Sequence, residues 1–443
     1  MEPNSLFNPA TTMPALAGRE INIAPLGATN MAREFDGSWD FRGAKTKSYT
    51  HGLHSYPAMF IPQVARRLVQ SYSRPGDKIC DIFCGSGTTL VESIVLGRDA
   101  IGIDLNPLAV FLAKVKTTPI NPSLLTKAYF HIVEKYHQPD IVGITIPEFP
   151  NLNFWFNETT IAQLAKLKYV IRKTTSGDTR DFFMATFSEV VRLVSNTKNG
   201  EFKLVRMSSE KLRDWNPNVL NMFRKKAENN IAGMSDFFHE VPSDHRATII
   251  IGDSSQDNKI PKNSIDLILT SPPYGDSRTT VAYGQFSRLS SQWIDLFEDP
   301  SEASKVDNQL LGGNKIGDLS HNLQSVHLIA ALETIAQQDI SRAKEVLSFF
   351  IGLNRCVEQA HSILKPNRHM CVVIGNRLVK QVRIPTDIII AELGNEIGFT
   401  CETIMARNIP GKKMPIRNSP TNIAGQLADT MNQESIVVLR KLK

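Results

Sequence analysis

A strand, a glycine-containing turn, a helix and a second strand ending in an acid follow one another within residues 78–104, and this order constrains the fold more than any other feature of the chain. Residues 78–83 and 100–104 are short apolar runs, and Gly85 and Gly87 fall in the turn after the first run. Two strands joined by a helical crossover form the repeating unit of a parallel sheet. The pattern therefore predicts an open α/β fold, which binds its ligands at the carboxyl ends of its strands.

Five later apolar runs have the length and composition of buried strands. With the first two, they predict a doubly wound, mostly parallel α/β sheet of seven strands, whose last two members form a hairpin-like pair. The further strands are predicted at 247–251, 264–269, 369–374, 400–405 and 435–439, with helices at 57–71, 342–364 and 386–396.

The regular alternation of strands and helices breaks off twice. Residues 120–245 and 276–340 are mostly helical in pattern with polar loops between, which predicts two large insertions into one α/β domain. We expect an irregular N-terminal arm over 1–45, a first part of the domain over 46–119 and a second part over 246–443. The chain of 443 residues is longer than one ordinary compact domain, which agrees with this organisation.

Charge and cysteine content limit the class of protein. The net charge of +6 and the pI near 8.9 permit a nucleic-acid partner. No run reaches the ~18 apolar residues that a membrane span needs, and residues 1–4 lack the basic start of a signal peptide. The cysteines are sparse, and Cys80 and Cys84 have no second Cys/His pair at zinc-ligand spacing. We expect a cytoplasmic protein with no membrane segment and no metal.

The glycine turn and Asp104 indicate a nucleoside-type ligand. Gly85 and Gly87 let a ligand approach the backbone closely, and the helix that follows favours an anionic group at its N-terminus. Asp104 can accept hydrogen bonds from two ribose hydroxyls. A phosphate-binding loop needs a lysine after the glycines, and a dinucleotide-binding loop needs a third glycine where Leu90 stands. S-adenosylmethionine, which has a ribose and a carboxylate but no phosphate, is compatible with both absences; a plain structural turn is the alternative.

The loop from Thr270 to Tyr274 follows a predicted strand and contains two consecutive prolines, which end the strand and stiffen the loop. An exocyclic base amine is a poor nucleophile because its lone pair is delocalised into the ring. Acceptors that hold both N–H bonds favour a geometry in which the lone pair attacks. We expect the Ser271 oxygen and the Pro272 carbonyl to be these acceptors, with Pro273 completing the rigid loop and Tyr274 stacking on an extruded base. An ordinary surface turn is the alternative.

These two motifs resemble those of the amino-group DNA methyltransferases of restriction–modification systems. Phe83 to Gly87 match their cofactor motif, Ser271 to Tyr274 match their catalytic motif, and residues 54–62 are similar to the motif that precedes their glycine turn. The resemblance implies a Rossmann-like methyltransferase fold and S-adenosylmethionine as the cofactor. It also implies double-stranded DNA as the substrate, base flipping, and a functionally paired restriction endonuclease.

The resemblance covers roughly residues 50–110 and 247–440, and the cofactor site is expected within these ranges. Asp253 occupies the position that lies near the cofactor adenine in the family. The expected cofactor-binding residues are Tyr56, Pro57, Phe60, Asp81, Phe83, Gly85, Ser86, Gly87, Thr88, Thr89, Asp104, Asn106 and Asp253.

Ser271, preceded by a threonine, resembles the branch that methylates cytosine N4, because the adenine-N6 branch usually carries Asp or Asn there. No cysteine follows a proline, so the covalent route to ring carbon five has no candidate nucleophile, and we expect direct transfer. Many serine-type members place the Pro-Pro motif first, whereas here the glycine motif comes first, so the DNA-recognition region is not located by the resemblance. The alternatives are adenine-N6 methylation, an RNA or protein methyltransferase, and an inactive binding protein.

The basic residues concentrate in one segment. Residues 160–226 contain fourteen Lys/Arg and six Asp/Glu, and this excess of eight exceeds the +6 of the whole chain. Cations that neutralise phosphates give salt-dependent DNA affinity, although a solvated helical face has the same composition. A second set follows the Pro-Pro loop, where we expect base flipping and local strand contacts. The expected DNA-binding residues are Arg192, Lys203 and Arg206 in the first segment, and Arg278, Tyr283 and Arg288 in the second.

Overall fold

The computed structural model describes residues 32–139, 141–242, 244–275, 281–409, 417–418, 428–429 and 433–443. Their strands form one large sheet and two small ribbons. The strands are β1 (Arg33–Phe35), β2 (Lys78–Asp81), β3 (Asp99–Asp104), β4 (Ala247–Ile251), β5 (Ile265–Thr270), β6 (Leu364–Ile374), β7 (Arg377–Val379), β8 (Val382–Ile384), β9 (Phe399–Asn408), β10 (Arg417–Asn418), β11 (Ala428–Asp429) and β12 (Gln433–Lys441).

The large sheet has the strand order β1-β9-β12-β6-β5-β2-β3-β4. Neighbours from β6 to β4 pair in parallel, whereas β12 runs antiparallel to both β6 and β9. All seven predicted strands lie in this sheet, so the prediction of a doubly wound, mostly parallel α/β fold is confirmed. The expected hairpin-like pair is β9 and β12, in which Phe399 faces Lys441 and Asn408 faces Gln433.

The structure corrects the prediction of an irregular N-terminal arm. Strand β1 pairs in parallel with β9 at the edge of the sheet, and the Arg33 guanidinium donates hydrogen bonds of 2.7 and 2.9 Å to Asp387. Trp39 is buried a few residues further on. A strand of three residues is too short for its periodicity to be read from sequence. Residues 1–31, the rest of the arm, lie outside the described residues.

Helices cover both faces of the sheet. Along β12, Ile436 and Val438 pack in the core with helix α1, and Val437 and Leu439 pack on the opposite face with α12–α14, as the alternation of a strand requires. No helix in the described part of the chain is long and apolar enough to cross a membrane. The helices are α1 (Pro62–Tyr72), α2 (Thr88–Val95), α3 (Pro107–Thr117), α4 (Pro122–His137), α5 (Leu152–Trp155), α6 (Glu158–Thr174), α7 (Gly177–Val194), α8 (Ser209–Arg213), α9 (Val219–Glu240), α10 (Tyr283–Trp293), α11 (Val306–Gln309), α12 (Val326–Ala336), α13 (Ile340–Ile363) and α14 (Thr386–Ile397).

Helices α4–α9 form a layer that packs on α3 and α10 through one apolar core. The rings of Phe156 and Phe187 meet the ring of Trp293 in α10, with centroid distances of 5.6 and 6.1 Å. This contact matters for the site because α10 begins shortly after the Pro-Pro loop. The predicted first insertion is therefore held against the edge of the sheet where ligands are expected.

Candidate active site

The carboxyl ends of β2, β3 and β5 and the loop after β4 surround a cavity of about 1480 Å³, open mouth included. Asp81, Asp104, Asp253 and Ser271 line it together, because neighbouring parallel strands end at the same edge of the sheet. A cavity on which a few polar groups converge is typical of a small-ligand site.

Asp104 is held by its own strand end and by the glycine turn. Its carboxylate accepts hydrogen bonds from the backbone N–H groups of Gly85 (2.9 Å) and Asn106 (2.8 Å). Burial raises the pKa of Asp104 to about 6, so the group is ionised at neutral pH. A carboxylate offers about four lone-pair sites, and these two bonds leave sites for hydroxyl donors from the cavity. The arrangement fits a ribose at this point.

The two glycines of the turn have different tasks. Gly85 has φ +49° and lines the cavity, and a Cβ there would lie 3.5 Å from the Tyr56 ring. Gly87 has φ +91°, and a Cβ there would lie 3.2 Å from the Cα of Ala113 in α3. Both backbone conformations favour glycine. Gly85 therefore brings the backbone close to a ligand, whereas Gly87 lets the turn pack against α3.

Asp81 joins the two sequence motifs. Its carboxylate accepts hydrogen bonds from the Phe83 backbone N–H (3.0 Å) and from the Thr270 hydroxyl (2.7 Å), 189 residues away in sequence. Burial raises the pKa of Asp81 to about 6. Because Thr270 directly precedes Ser271, this bond positions the Pro-Pro loop relative to the glycine turn. The pairing of β2 with β5 creates the contact, and no local pattern reveals it.

Ser271 presents a hydroxyl oxygen that is buried and has no hydrogen bond of good geometry among the described residues, although Tyr274 lies near it. A buried polar group without a partner costs ~1–3 kcal/mol, which a ligand at this point would recover. The Tyr274 hydroxyl donates to Glu434 (2.9 Å), whose other oxygen accepts from Arg407 (2.6 Å). The end of the loop is thereby tied to β9 and β12.

A buried lysine lies behind the glycine turn. Lys116 of α3 is 1% exposed, and its Nζ is 3.0 Å from the hydroxyl of Ser86, which lines the cavity. Burial lowers the pKa of Lys116 to about 7, and Glu189 acts against this shift. An ammonium here adds to the N-terminus of α2 in favouring an anionic group such as a carboxylate. The sequence does not reveal this role of Lys116, because a lysine near the end of a helix usually faces solvent.

Most of the predicted cofactor residues come together. All of them except Gly87 and Thr89 line the cavity, and the Thr89 hydroxyl donates instead to the Leu269 carbonyl of β5 (3.5 Å). Asn106 contributes through its side chain, which donates to the Tyr56 hydroxyl (3.0 Å) and so fixes one wall. The structure therefore gathers eleven of the thirteen predicted residues around one cavity.

Only part of the predicted catalytic loop lines the cavity. Ser271 and Pro273 line the cavity, whereas Pro272 and Tyr274 do not. Tyr283, expected at the DNA, lines the cavity instead, and its burial raises the pKa of its hydroxyl.

The second insertion supplies a wall that the sequence analysis missed. The segment after α11 packs on α13, where a Cβ at Gly352 would lie 3.6 Å from the Leu311 side chain. In α11 itself, Asp307 accepts hydrogen bonds from the backbone N–H groups of Gly284 (2.7 Å) and Gln285 (3.0 Å). The segment thus connects the cavity to the start of α10, and its irregular backbone has no periodicity to detect. The lining residues of this wall are 309–312, Asn314, Ile316, Ser348, Ile351, Gly352, Arg355 and Cys356.

Arg192 does not face solvent, and the structure corrects its prediction as a phosphate contact. The side chain is 5% exposed, and its guanidinium donates to the backbone carbonyls of Phe286 (3.3 Å) and Glu201 (2.6 Å). It also stacks on the Phe286 ring at 3.8 Å. Arg192 joins α7 to α10 and to the loop that follows α7.

The other predicted DNA-binding cations differ in exposure. Lys203 is exposed. Arg206 is half-buried, stacks on the Phe154 ring at 4.4 Å and donates to the Phe154 carbonyl (3.0 Å). Arg288 is half-buried, and desolvation lowers its pKa. Arg278 lies outside the described residues.

A glycine turn, an acid on the neighbouring strand and a Pro-Pro loop around one cavity, at the edge of a doubly wound sheet, define an S-adenosylmethionine-dependent methyltransferase. A family model described as DNA methylase matches residues 13–114. The type II methyltransferase M.MvaI of Kocuria varians is 41% identical over 422 residues, which are 90% of this chain and 93% of that protein. The chain belongs to the amino-group DNA methyltransferases of restriction–modification systems, and S-adenosylmethionine is its cofactor. The expected family and cofactor are confirmed.

Two further similarities are more limited. The type II methyltransferase M.MjaII of Methanocaldococcus jannaschii is 34% identical over 103 residues, 23% of this chain and 19% of that protein. The crystal structure of a TehB-like SAM-dependent methyltransferase from Corynebacterium glutamicum has a TM-score of 0.28 and 11% identity over 85% of this chain and 86% of that one. The fold assignment therefore rests on the sheet order of this chain.

Proposed function

We propose that the protein methylates the exocyclic N4 amine of a cytosine extruded from double-stranded DNA. The observation that carries the proposal is the buried Ser271 hydroxyl, which lines the cavity and has no well-formed hydrogen bond among the described residues. A neutral acceptor at this position suits an amine whose N–H bonds must be held. S-adenosylmethionine supplies a methyl group already activated on a sulfonium, so alignment and exclusion of water are the main tasks of the chain.

The cysteines of the cavity support direct transfer over a covalent route. Cys84 and Cys356 line the cavity, and burial raises the pKa of both thiols. A thiolate is the reactive form of cysteine, and a buried thiol with a raised pKa is inert at neutral pH. Methylation of ring carbon five requires such a thiolate, so the cavity favours an amine as the acceptor.

Mass spectrometry of nucleosides tests the acceptor. Unmethylated bacterial genomic DNA would be incubated with purified protein and S-adenosylmethionine, then digested. We expect N4-methylcytosine. N6-methyladenine as the sole product would refute the base assignment and leave the family unchanged, whereas 5-methylcytosine would refute the mechanism. A parallel reaction with tRNA should incorporate no methyl group.

We further propose that Lys203 and the exposed part of the basic insertion contact DNA phosphates, and that methylation protects DNA from a cognate restriction endonuclease. The exposure of Lys203 and the charge excess of residues 160–226 support the first proposal. The names of the relatives, type II methyltransferases, support the second. The proposed pairing with an endonuclease is tested by digesting plasmid DNA with type II endonucleases before and after methylation by this protein. We expect one endonuclease to cut the unmethylated plasmid and to leave the methylated plasmid intact.

A further inference from the structure

Residues 196–207, between α7 and α8, form a hairpin-like loop with one isolated antiparallel bridge, Thr197 to Arg206, and we call this loop the ribbon. The Lys198 N–H donates to the Val205 carbonyl (2.8 Å), and the Met207 N–H donates to the Asn196 carbonyl (2.8 Å). A turn closes the ribbon, with the Glu201 N–H donating to the Lys198 carbonyl (3.1 Å). Lone hairpins of this size are marginally stable, so its conformation depends on contacts with the rest of the protein.

Those contacts tie the ribbon to the helix that borders the cavity. The Leu204 N–H donates to the side chain of Gln285 in α10 (3.3 Å), and the buried Arg192 guanidinium donates to the Glu201 carbonyl (2.6 Å). The same guanidinium also donates a hydrogen bond to the backbone carbonyl of Phe286 in α10. Because α10 begins with Tyr283, which lines the cavity, the ribbon is fixed to the first turn of a helix that contributes to the cavity wall.

The exposed residues of the ribbon include one aromatic ring and two lysines. The ring of Phe202 is 42% exposed, and Lys198 and Lys203 on either side of it are exposed. Neither lysine side chain has a hydrogen bond or ion pair among the described residues. A single exposed ring is ordinary on a protein surface. An exposed ring and two free cations within six residues, on a ribbon that is fixed to α10, are suited to a polyanion with apolar faces.

Base extrusion creates a need for such a ring. Removing a base from the duplex costs a few kcal/mol of stacking and pairing and leaves a gap in the stack. DNA-bending proteins insert phenylalanine and other apolar side chains between bases, while lysines hold the flanking phosphates. We propose that Phe202 inserts into the DNA stack next to the extruded base, with Lys198 and Lys203 on the adjacent phosphates. This inference rests on the proposed function.

The test compares Phe202→Ala with Phe202→Trp on a duplex that contains a methylation site located by sequencing DNA treated with the unchanged protein. Phe130→Ala, which removes a 64% exposed ring on α4, is the matched control. Aromatic stacking on a base is worth enough that Phe202→Ala should lower the single-turnover methylation rate about 10-fold, with Phe202→Trp close to the unchanged protein. Cofactor affinity and melting temperature should not change in any variant.

A second duplex, with a mismatch at the target base, separates a wedge from a general contact. A mismatched base leaves the stack more easily, so the rate loss of Phe202→Ala should shrink to about twofold on this duplex. An equal loss on both duplexes, or no loss on either, would overturn the wedge. If the unchanged protein methylates no DNA at all, the proposed function fails and the role of Phe202 fails with it.

Discussion

The cavity at the sheet edge and the helical layer α4–α9 use charged residues in opposite ways. Asp81 and Asp104 both line the cavity. Each carboxylate accepts a hydrogen bond from the backbone N–H of the residue two positions later in the chain. In the helical layer, Lys168 and Arg172 both pair with Asp295, so neither is free to hold a phosphate. The acids at the strand ends line the cavity, whereas part of the basic charge on the helices serves packing.

This difference limits what a count of charged residues predicts about contacts with DNA. An acid at the end of a parallel strand is placed by local geometry, and its neighbours in the sheet direct it to the common ligand-binding edge. A helical cation is long and flexible, and its partner comes from whichever element packs nearby. Lys226 pairs with Glu189, and Arg192 is buried, although both belong to the segment with the largest basic excess. The exposed Lys198 and Lys203 of the ribbon, within the same segment, are the better candidates for contact with DNA.

The largest effect is expected from removing the acceptor at the cavity. Ser271→Ala should lower kcat roughly 10²-fold, the scale seen when one preorganised hydrogen-bonding group is removed from an active site. The cofactor Kd should be unchanged, since Asp104 and the glycine turn remain. Ser255→Ala, which removes another hydroxyl that lines the cavity, is the control and should retain its kcat. Normal turnover by Ser271→Ala would show that the loop positions the base without this hydroxyl.

Asp104 is expected to dominate cofactor affinity. Asp104→Ala should weaken S-adenosylmethionine binding by about 1.5–3 kcal/mol, the scale of a hydrogen bond to a charged group. Because burial raises the pKa of Asp104 to about 6, the affinity of the unchanged protein should fall as the pH drops through this value. Asp81 has a similar pKa and lines the same cavity, so Asp104→Asn separates the two. Calorimetry should give a flatter pH profile for this variant, and an unaltered profile would exclude Asp104 as the titrating group.

The helical side of the comparison is tested by charge reversal on the ribbon. Lys198→Glu combined with Lys203→Glu should weaken DNA binding and reduce the slope of log K against log salt by about one for each lysine. Arg206 is left unchanged because it donates a hydrogen bond to the Phe154 carbonyl and stacks on the Phe154 ring. The control combines Arg74→Glu with Lys262→Glu, two exposed cations near the starts of β2 and β5, at the edge opposite the cavity. Equal slopes for the two double variants would make the ribbon an ordinary solvated surface.

The smallest effect is expected where the two regions meet, at Lys116, which contacts Ser86 of the turn and lies near Glu189 of α7. The pKa of Lys116 is lowered to about 7 in the folded state, so between this value and 10.5 the unfolded chain binds more protons. This group therefore makes the free energy of unfolding increase as the pH rises from about 7.

Lys116→Met removes both the buried charge and this dependence. Without cofactor, its Tm should exceed that of the unchanged protein by a few degrees below pH 7, and the difference should shrink toward pH 9. Thermal unfolding at several pH values measures it. A constant difference across this range would mean that Lys116 does not titrate there. The control is Lys114→Met, which removes an exposed lysine of the same helix, α3. Lys114 pairs with Asp181 of α7.

Seven of the eight strands of the large sheet and the course of the main helices were readable in the sequence because apolar periodicity is a local property. The cavity-lining residues around Gly85 and Asp104 were readable for a similar reason, since turn geometry demands glycine and a strand end places its acid. The short β1 escaped detection because three residues show no period. The wall after α11 escaped because it has neither helical nor strand periodicity.

The amino-acid sequence by itself determined the class of fold, the two motifs at the sheet edge and the excess of basic charge in the insertion. Only the tertiary structure decided that Asp81 holds Thr270 from 189 residues away, that Lys116 is buried behind Ser86, and that Arg192 braces the ribbon instead of meeting solvent. Backbone preferences act over a few residues and are written in local sequence. The partner of a side chain depends on which elements the folded chain brings together.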